Sequence, residues 1–216
     1  MKKTAFALAL AALGLTQANA AVISFEAPLN LETTEIKQTL LLDKFDSSLG
    51  TLESVTVEFF GRGVSDANIR NTAANAQNFR FTSVLDLLFS GALMDTISLE
   101  LFNTGGFVNI ASGATLDLGK VDIADSRSLN VAATAFAGYI GSDKLSFGCD
   151  SFVTNTQSGG GGNVVVTQNT QAGCGAKVTY TYTATPPNPN PVPEPGSLAL
   201  LGLGLVGLGA LRRKKA

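Results

Sequence analysis

The sequence predicts an all-β chain, an antiparallel β-sandwich of jelly-roll-like or Ig-like type, flanked by an N-terminal signal peptide and a C-terminal transmembrane helix. Three observations lead there. Apolar and polar residues alternate with period two in several short runs separated by turn residues. A helical period is nearly absent between the two termini. The ends themselves are apolar runs with flanking cations, the composition of addressing segments rather than of a fold.

At the N-terminus, Lys2 and Lys3 precede an apolar run from Ala5 to Leu15, and Ala18-Asn19-Ala20 supplies the small-x-small pattern of a cleavage site. The expected signal peptide is residues 1–20, with cleavage between Ala20 and Ala21. The Sec translocon and signal peptidase are the partners this implies.

The mature domain, residues 21–185, opens on Val22-Ile23-Ser24-Phe25, an expected edge strand. A second strand is expected within Thr33 to Leu42. Glu53 to Phe59 alternates cleanly, with Val55, Val57 and Phe59 on one face and Ser54, Thr56 and Glu58 on the other. Gly61 to Ala76 is polar and rich in Ala and Asn, and reads as a loop. Strand pattern returns over Asn78 to Leu87, with Phe79, Phe81 and Leu85 as expected core, and again over Thr96 to Phe102. Gly105-Gly106 turns the chain into Phe107 to Ile110. Ala111 to Asn130 reads as short polar turns between weak apolar runs. Ala132 to Ile140 contributes Phe136, Tyr139 and Ile140, and Leu145-Ser146-Phe147 leads to Cys149. The run Ser158-Gly159-Gly160-Gly161-Gly162 lacks the Lys of a phosphate loop and reads as a flexible hairpin tip between strands. Val164 to Thr167 and Val178 to Thr183 are the last expected strands, for a total of eight to ten.

Composition narrows the chemistry. The chain has no His and no Trp. Without His, Ser-His-Asp and Cys-His mechanisms and His-built zinc sites are excluded. Residues 21–191 hold nine cations against sixteen carboxylates, a net charge of −7. Such a domain repels nucleic acid through its overall field. No cofactor is expected. Cys149 and Cys174 are the only cysteines, and in an exported chain their expected state is a disulfide, tying down the hairpin region near the C-terminal end of the domain.

Two acidic groups are candidate cation sites, Asp43 with Asp46, and Asp117 with Asp122 and Asp125. The first is one short pair, for which a structural role in shaping the turn is preferred; the second does not reproduce a calcium-loop spacing, and its acids read as solvated turn residues. The sixteen carboxylates offer no preferred pair for glycoside hydrolysis. The expectation is therefore a non-enzymatic protein.

Pro186-Pro187-Asn188-Pro189-Asn190-Pro191 is an extended linker, residues 186–191. The remainder, 192–216, has three parts: Val192-Pro193-Glu194-Pro195, an apolar helix over 198–211, and Arg212-Arg213-Lys214-Lys215. Fourteen helical residues span about 21 Å, short of a hydrocarbon core of about 30 Å. Its four glycines, Gly202, Gly204, Gly207 and Gly209, cost roughly 1 kcal/mol each relative to Ala. The terminal cations hold the end of the chain in the cytoplasm.

This tail closely resembles the PEP-CTERM sorting signal of exopolysaccharide-producing Gram-negative bacteria. The resemblance implies an exosortase-type membrane protease as partner, which recognises the signal and removes the helix. An ordinary membrane anchor is the alternative, against which the Pro-Glu-Pro placement and the short helix both weigh. A second resemblance rests on Lys44-Phe45-Asp46, Leu49-Gly50-Thr51-Leu52 and the Val-rich strand that follows. These residues resemble the signature of choice-of-anchor E domains, bacterial surface domains with varied C-terminal anchors. In physical terms, Phe45 and Leu49 would plug the sandwich edge, and Asp46 and Gly50 would shape the turn.

Together these readings imply an exported protein, transiently in the inner membrane and then at the cell surface, in the outer envelope or in the extracellular matrix, with a structural or adhesive role. The alternative is a carbohydrate-binding module that retains exopolysaccharide. Exposed Tyr139, Tyr180 or Tyr182 would then carry the contacts, and their burial would instead favour a scaffold.

Overall fold

The computed structural model describes residues 20–185. Ten strands form two antiparallel sheets. They are β1 (Ala20–Ala27), β2 (Glu32–Thr33), β3 (Lys37–Asp43), β4 (Gly50–Asn71), β5 (Gln77–Ser90), β6 (Asp95–Asn103), β7 (Val108–Ile110), β8 (Thr115–Asn130), β9 (Lys144–Gly159) and β10 (Val164–Ala184). One sheet has the order β1-β10-β4-β8 with β2 also on β10; the other has β3-β9-β5-β6 with β7 also on β5.

The two sheets enclose one apolar core between them. Val55, Val57 and Phe59 point into it from β4, with Phe79, Phe81, Leu85, Leu87 and Phe89 from β5. Ala176, Val178 and Tyr180 enter from β10, and Leu145 and Phe147 from β9. Phe59 and Phe89 stack across the gap with ring centroids 4.4 Å apart, and Phe147 meets Phe59 edge-on at 5.2 Å. The alternation read from Glu53 to Phe59 is the pleat that puts these side chains inside.

The segment Gly61 to Ala76, expected as a loop, is corrected for most of its length: β4 runs without a break from Gly50 to Asn71. From Gly61 to Ala67 its inward residues are small, Gly61, Gly63, Ser65 and Ala67, where β5 supplies large ones opposite, and the larger Ile69 and Asn71 complete the buried face. A β-carbon on Gly61 would stand 2.2 Å from Leu87 Cδ1, and one on Gly63 would stand 2.7 Å from Leu85 Cδ2. Ala111 to Asn130 is corrected likewise. It is mainly one long edge strand, β8, paired with β4 and kinked near Gly119, where φ is +76°.

A third correction concerns Ser158 to Gly162. Its ends belong to different sheets, β9 pairing with β5 and β10 with β4, so the glycines carry the chain between layers and do not cap a hairpin. Gly159 to Gly162 all have positive φ, a run of left-handed backbone that L-residues resist. At Gly160 there is also no room, since an added β-carbon would lie 2.6 Å from a Val164 methyl.

On the open side of the sandwich the crossing from β2 to β3 joins the layers. The Thr34 N–H bonds the Thr170 carbonyl at 3.1 Å, and the Ile36 N–H bonds Ser151 Oγ at 2.9 Å. Gln38 fills the gap that β1 and β2 leave along β10, its Oε1 accepting the Cys174 N–H at 3.1 Å. A polar cluster spans the layers nearby: Gln168 Nε2 donates to Ser83 Oγ at 2.9 Å and to Thr170 Oγ1 at 3.0 Å.

Candidate functional site

The chemistry-bearing residues singled out in the sequence do not converge on one place. Cys149 on β9 and Cys174 on β10 are bonded, with Cα atoms 6.5 Å apart. Their strands lie in opposite sheets, so the bridge pins layer to layer through the core. This corrects the expectation that it ties a hairpin.

Phe45 is buried against Tyr180 and Tyr182, with ring centroids at 5.6 and 5.1 Å. Its neighbour Asp46 accepts the Ser48 N–H at 2.8 Å and caps the short turn Ser47–Leu49. That bond favours the ionised carboxylate and holds its pKa below the usual value. Gly50 follows with φ +154°, and a β-carbon there would lie 2.0 Å from the Thr183 carbonyl oxygen. Leu49, expected as a second plug, is 37% exposed and serves the turn rather than the core.

Asp43 pairs with Lys144, and Lys44 pairs with Asp143 at 2.8 Å. The two crossed pairs clamp the end of β3 to the start of β9, beside a recess of about 480 Å³ that Asp46 also lines. The Lys44 ammonium holds the Asp143 carboxyl below its usual pKa. Asp43 and Asp46 are thus engaged separately, one with a cation and one as a cap.

Asp117, Asp122 and Asp125 are exposed, as expected, but along β8 and not in turns. Asp117 accepts the Gly119 N–H at 2.8 Å. Asp122 takes a two-point bond from Arg62, at 2.7 and 2.6 Å, which lowers the carboxyl pKa and raises that of the guanidinium. Asp125 lies 3.5 Å from Arg127. Among the described residues, no three His, Cys, Asp or Glu side chains are grouped to hold a metal ion.

The tyrosines do not form an outward row. Tyr139 and Tyr180 are in the core, and Tyr182 is half-buried against Phe45. Tyr180 donates to the Asp43 carbonyl at 3.1 Å, whereas the Tyr139 hydroxyl has no partner among the described residues. Burial pushes both phenols above their ordinary pKa. The stacking platform on which sugar binding rested is therefore corrected to core packing. Residue type alone could not separate the two, because Tyr serves equally as a buried wedge and as an exposed plate.

The residues of the expected signal-peptide cut fall where β1 begins and β10 ends. Ala20 and Ala21 lie in β1 opposite Thr183 and Tyr182 of β10, so the expected new N-terminus starts beside the strand that leads into the linker. The sorting residues Val192, Pro193, Glu194 and Pro195, the apolar segment 198–211, and Arg212, Arg213, Lys214 and Lys215 lie outside the described residues, as does most of the expected signal peptide. No helix among the described residues is long and apolar enough to cross a membrane.

The comparisons agree with the tail. Residues 191–214 match the family described as the PEP-CTERM protein-sorting motif. The match contains Val192 to Pro195 and reaches Lys214, so the chain carries an exosortase-type sorting signal, the mark of an exported protein. No curated protein matches the chain. Among solved structures, infectious bursal disease virus of the Gx strain aligns at 9% identity over 77% of this chain and 38% of that one, with a TM-score of 0.18. The T13 particle of the same virus aligns at 11% over 94% and 52%, with a TM-score of 0.17. The parasporin-2 toxin of Bacillus thuringiensis aligns at 13% over 76% and 73%, also at 0.17. The chain spans about two fifths to one half of the viral chains. Scores this low carry no argument about fold or role.

Proposed function

We propose that this chain is a non-enzymatic protein of the cell envelope or exopolysaccharide matrix of a Gram-negative bacterium, sorted and cleaved by an exosortase-type protease. The observation that carries this reading is the sorting motif at 191–214. The Sec machinery exports the chain and signal peptidase cuts after Ala20. The apolar segment 198–211 halts the chain with Arg212 to Lys215 in the cytoplasm. Pro193-Glu194-Pro195 is then presented at the outer face of the membrane, where cleavage frees the domain from its helix.

The domain serves as a structural or adhesive module. Supporting this, the carboxylates singled out in the sequence are used in turns, caps and ion pairs, and the three tyrosines pack in or against the core. The choice-of-anchor E resemblance fits the places of Phe45, Asp46 and Gly50, which set the entry into β4. Leaving aside the short β2 and β7, the strand order is first-eighth-third-sixth over second-seventh-fourth-fifth. That order supports a jelly-roll-like connectivity.

The test is the intact mass and location of the protein in its host, with and without the exosortase. The proposal expects loss of a C-terminal fragment beginning near Pro193–Ser197 only when the protease is present. An unprocessed tail in both strains would leave a plain membrane-anchored domain and sink the sorting account.

A further inference from the structure

Two strand edges on the same side of the sandwich have no partner among the described residues. β3 pairs with β9 only over Lys144 to Asp150, leaving Phe152 to Gly159 bonded to β5 alone. On β10, β2 reaches only Gln171 and Ala172 and the Thr34 N–H takes the Thr170 carbonyl, leaving Val164 to Asn169 bonded to β4 alone. The glycine crossing Gly159–Gly162 joins the two edges. Free edges present unpaired N–H and C=O groups in register, and what satisfies such a row is another strand.

The charge pattern singles this place out. The other long edges carry ionised side chains: Glu26 on β1, Lys37 on β3, Asp95 and Glu100 on β6, and Asp117, Lys120, Asp122, Asp125 and Arg127 on β8. Charges and bulges are how proteins block strand addition. From Ser151 to Ala176 there is no ionisable side chain other than the disulfide-bonded Cys174. Two apolar side chains stand exposed in this stretch, Phe152 at 45% and Val165 at 51%.

We propose that the free edge of β9, flanked by that of β10, docks a second copy of this chain by antiparallel strand pairing, β9 against β9. The choice of partner follows from charge. The mature domain carries −7, so two copies repel over most of their surfaces and approach at least cost where neither presents an acid. A β9–β9 pair about a two-fold axis brings only Thr, Asn, Gln, Ser, Val, Gly and Phe152 together, and it is self-complementary. The pairing continues one sheet across both copies. It is independent of how the chain is sorted.

Sedimentation of the exported, processed protein over a concentration series tests this. A heavier species that grows with concentration is expected. Thr156→Lys, at an exposed position on the β9 edge, should abolish it without lowering the thermal midpoint, and Thr167→Lys on the flanking β10 edge should weaken it. Ser128→Lys on the β8 edge should leave it intact. In the unmodified protein, hydrogen exchange at Phe152 to Gly159 should slow as concentration rises, a readout that needs no variant. A monomer throughout, association that survives both edge lysines, or pairing only with an unrelated protein would each overturn the proposal.

Discussion

The Cδ1 methyl of Leu87 fills the space a β-carbon on Gly61 would need, 2.2 Å from its ideal position. The two residues sit in opposite sheets, so the absent β-carbon lets the layers approach closely here, as it does at Gly63 and Leu85. Gly61→Ala is expected to lower stability by about 1–3 kcal/mol, the usual cost of an extra carbon in a packed core. Combining it with Leu87→Ala should cost less than the sum of the single changes, since Leu87→Ala removes the clash. Chemical denaturation of the four proteins decides it, and strict additivity would refute the contact.

Loss of the bridge between Cys149 and Cys174 is expected to cost about 3 kcal/mol, given a separation of 25 residues. For a domain of this size, that corresponds to a fall of about 6–12 °C in thermal midpoint for Cys149→Ala/Cys174→Ala. Calorimetry of the oxidised protein beside the variant gives the number. An unchanged midpoint would mean that the layers do not depend on the pin.

Phe45 and Leu49 have unequal roles despite their shared motif. Phe45→Ala empties a site between Tyr180 and Tyr182 and should cost about 3–5 kcal/mol. Leu49→Ala, at an exposed turn, should fall within about 0.5 kcal/mol of the parent. Urea midpoints of the two variants test the contrast, and equal losses would contradict it.

Alkaline pH should unfold the domain through its buried phenols. Tyr139 and Tyr180 have raised pKa values when folded, so their contribution is complete below the unfolded value of about 10. It is lost as pH rises through their folded values, because only the unfolded chain ionises them readily. Phenolate absorbance from these two residues should therefore emerge together with loss of the native circular dichroism. Their ionisation in a still-folded protein would contradict the burial. Tyr139→Phe should stabilise the domain or leave it unchanged, since the hydroxyl it removes has no partner among the described residues.

The strand alternation at Val55, Val57 and Phe59 and at Phe79 and Phe81 was legible because their inward residues are large and apolar. The second half of β4 was not legible, because four successive inward positions are Gly61, Gly63, Ser65 and Ala67, hydrophobic periodicity is blind to a face made of holes, and the buried Ile69 stands alone after them. Those holes make sense only beside Leu85 and Leu87, which come from another strand. β8 was hidden for a related reason: as an edge strand it keeps its inward Leu116, Leu118, Val121 and Ile123 only half-covered, amid polar neighbours. The disulfide was readable from cysteine number and context, but its span across the layers was not, since that depends on which sheet each strand joins. The sorting signal was legible throughout, since it is a linear pattern and needs no fold. The uncharged edges at 152–159 and 164–169 left a trace in the sequence, a long stretch without an ionised residue, but only the pairing shows that they lack partners among the described residues.

β10 runs 21 residues from the glycine crossing to Ala184, where the chain leaves for its tail. It lies against β4 for nearly that whole length and against β1 near its end. A pull applied at Ala184 and resisted at the far turn runs along this strand, so the ladder bonds are sheared together and share the load. A pull between Ala21 and Tyr182 opens β1 from β10 one bond at a time, like a zip. The same domain is thus expected to resist a pull along β10 and to yield to one that parts its two ends.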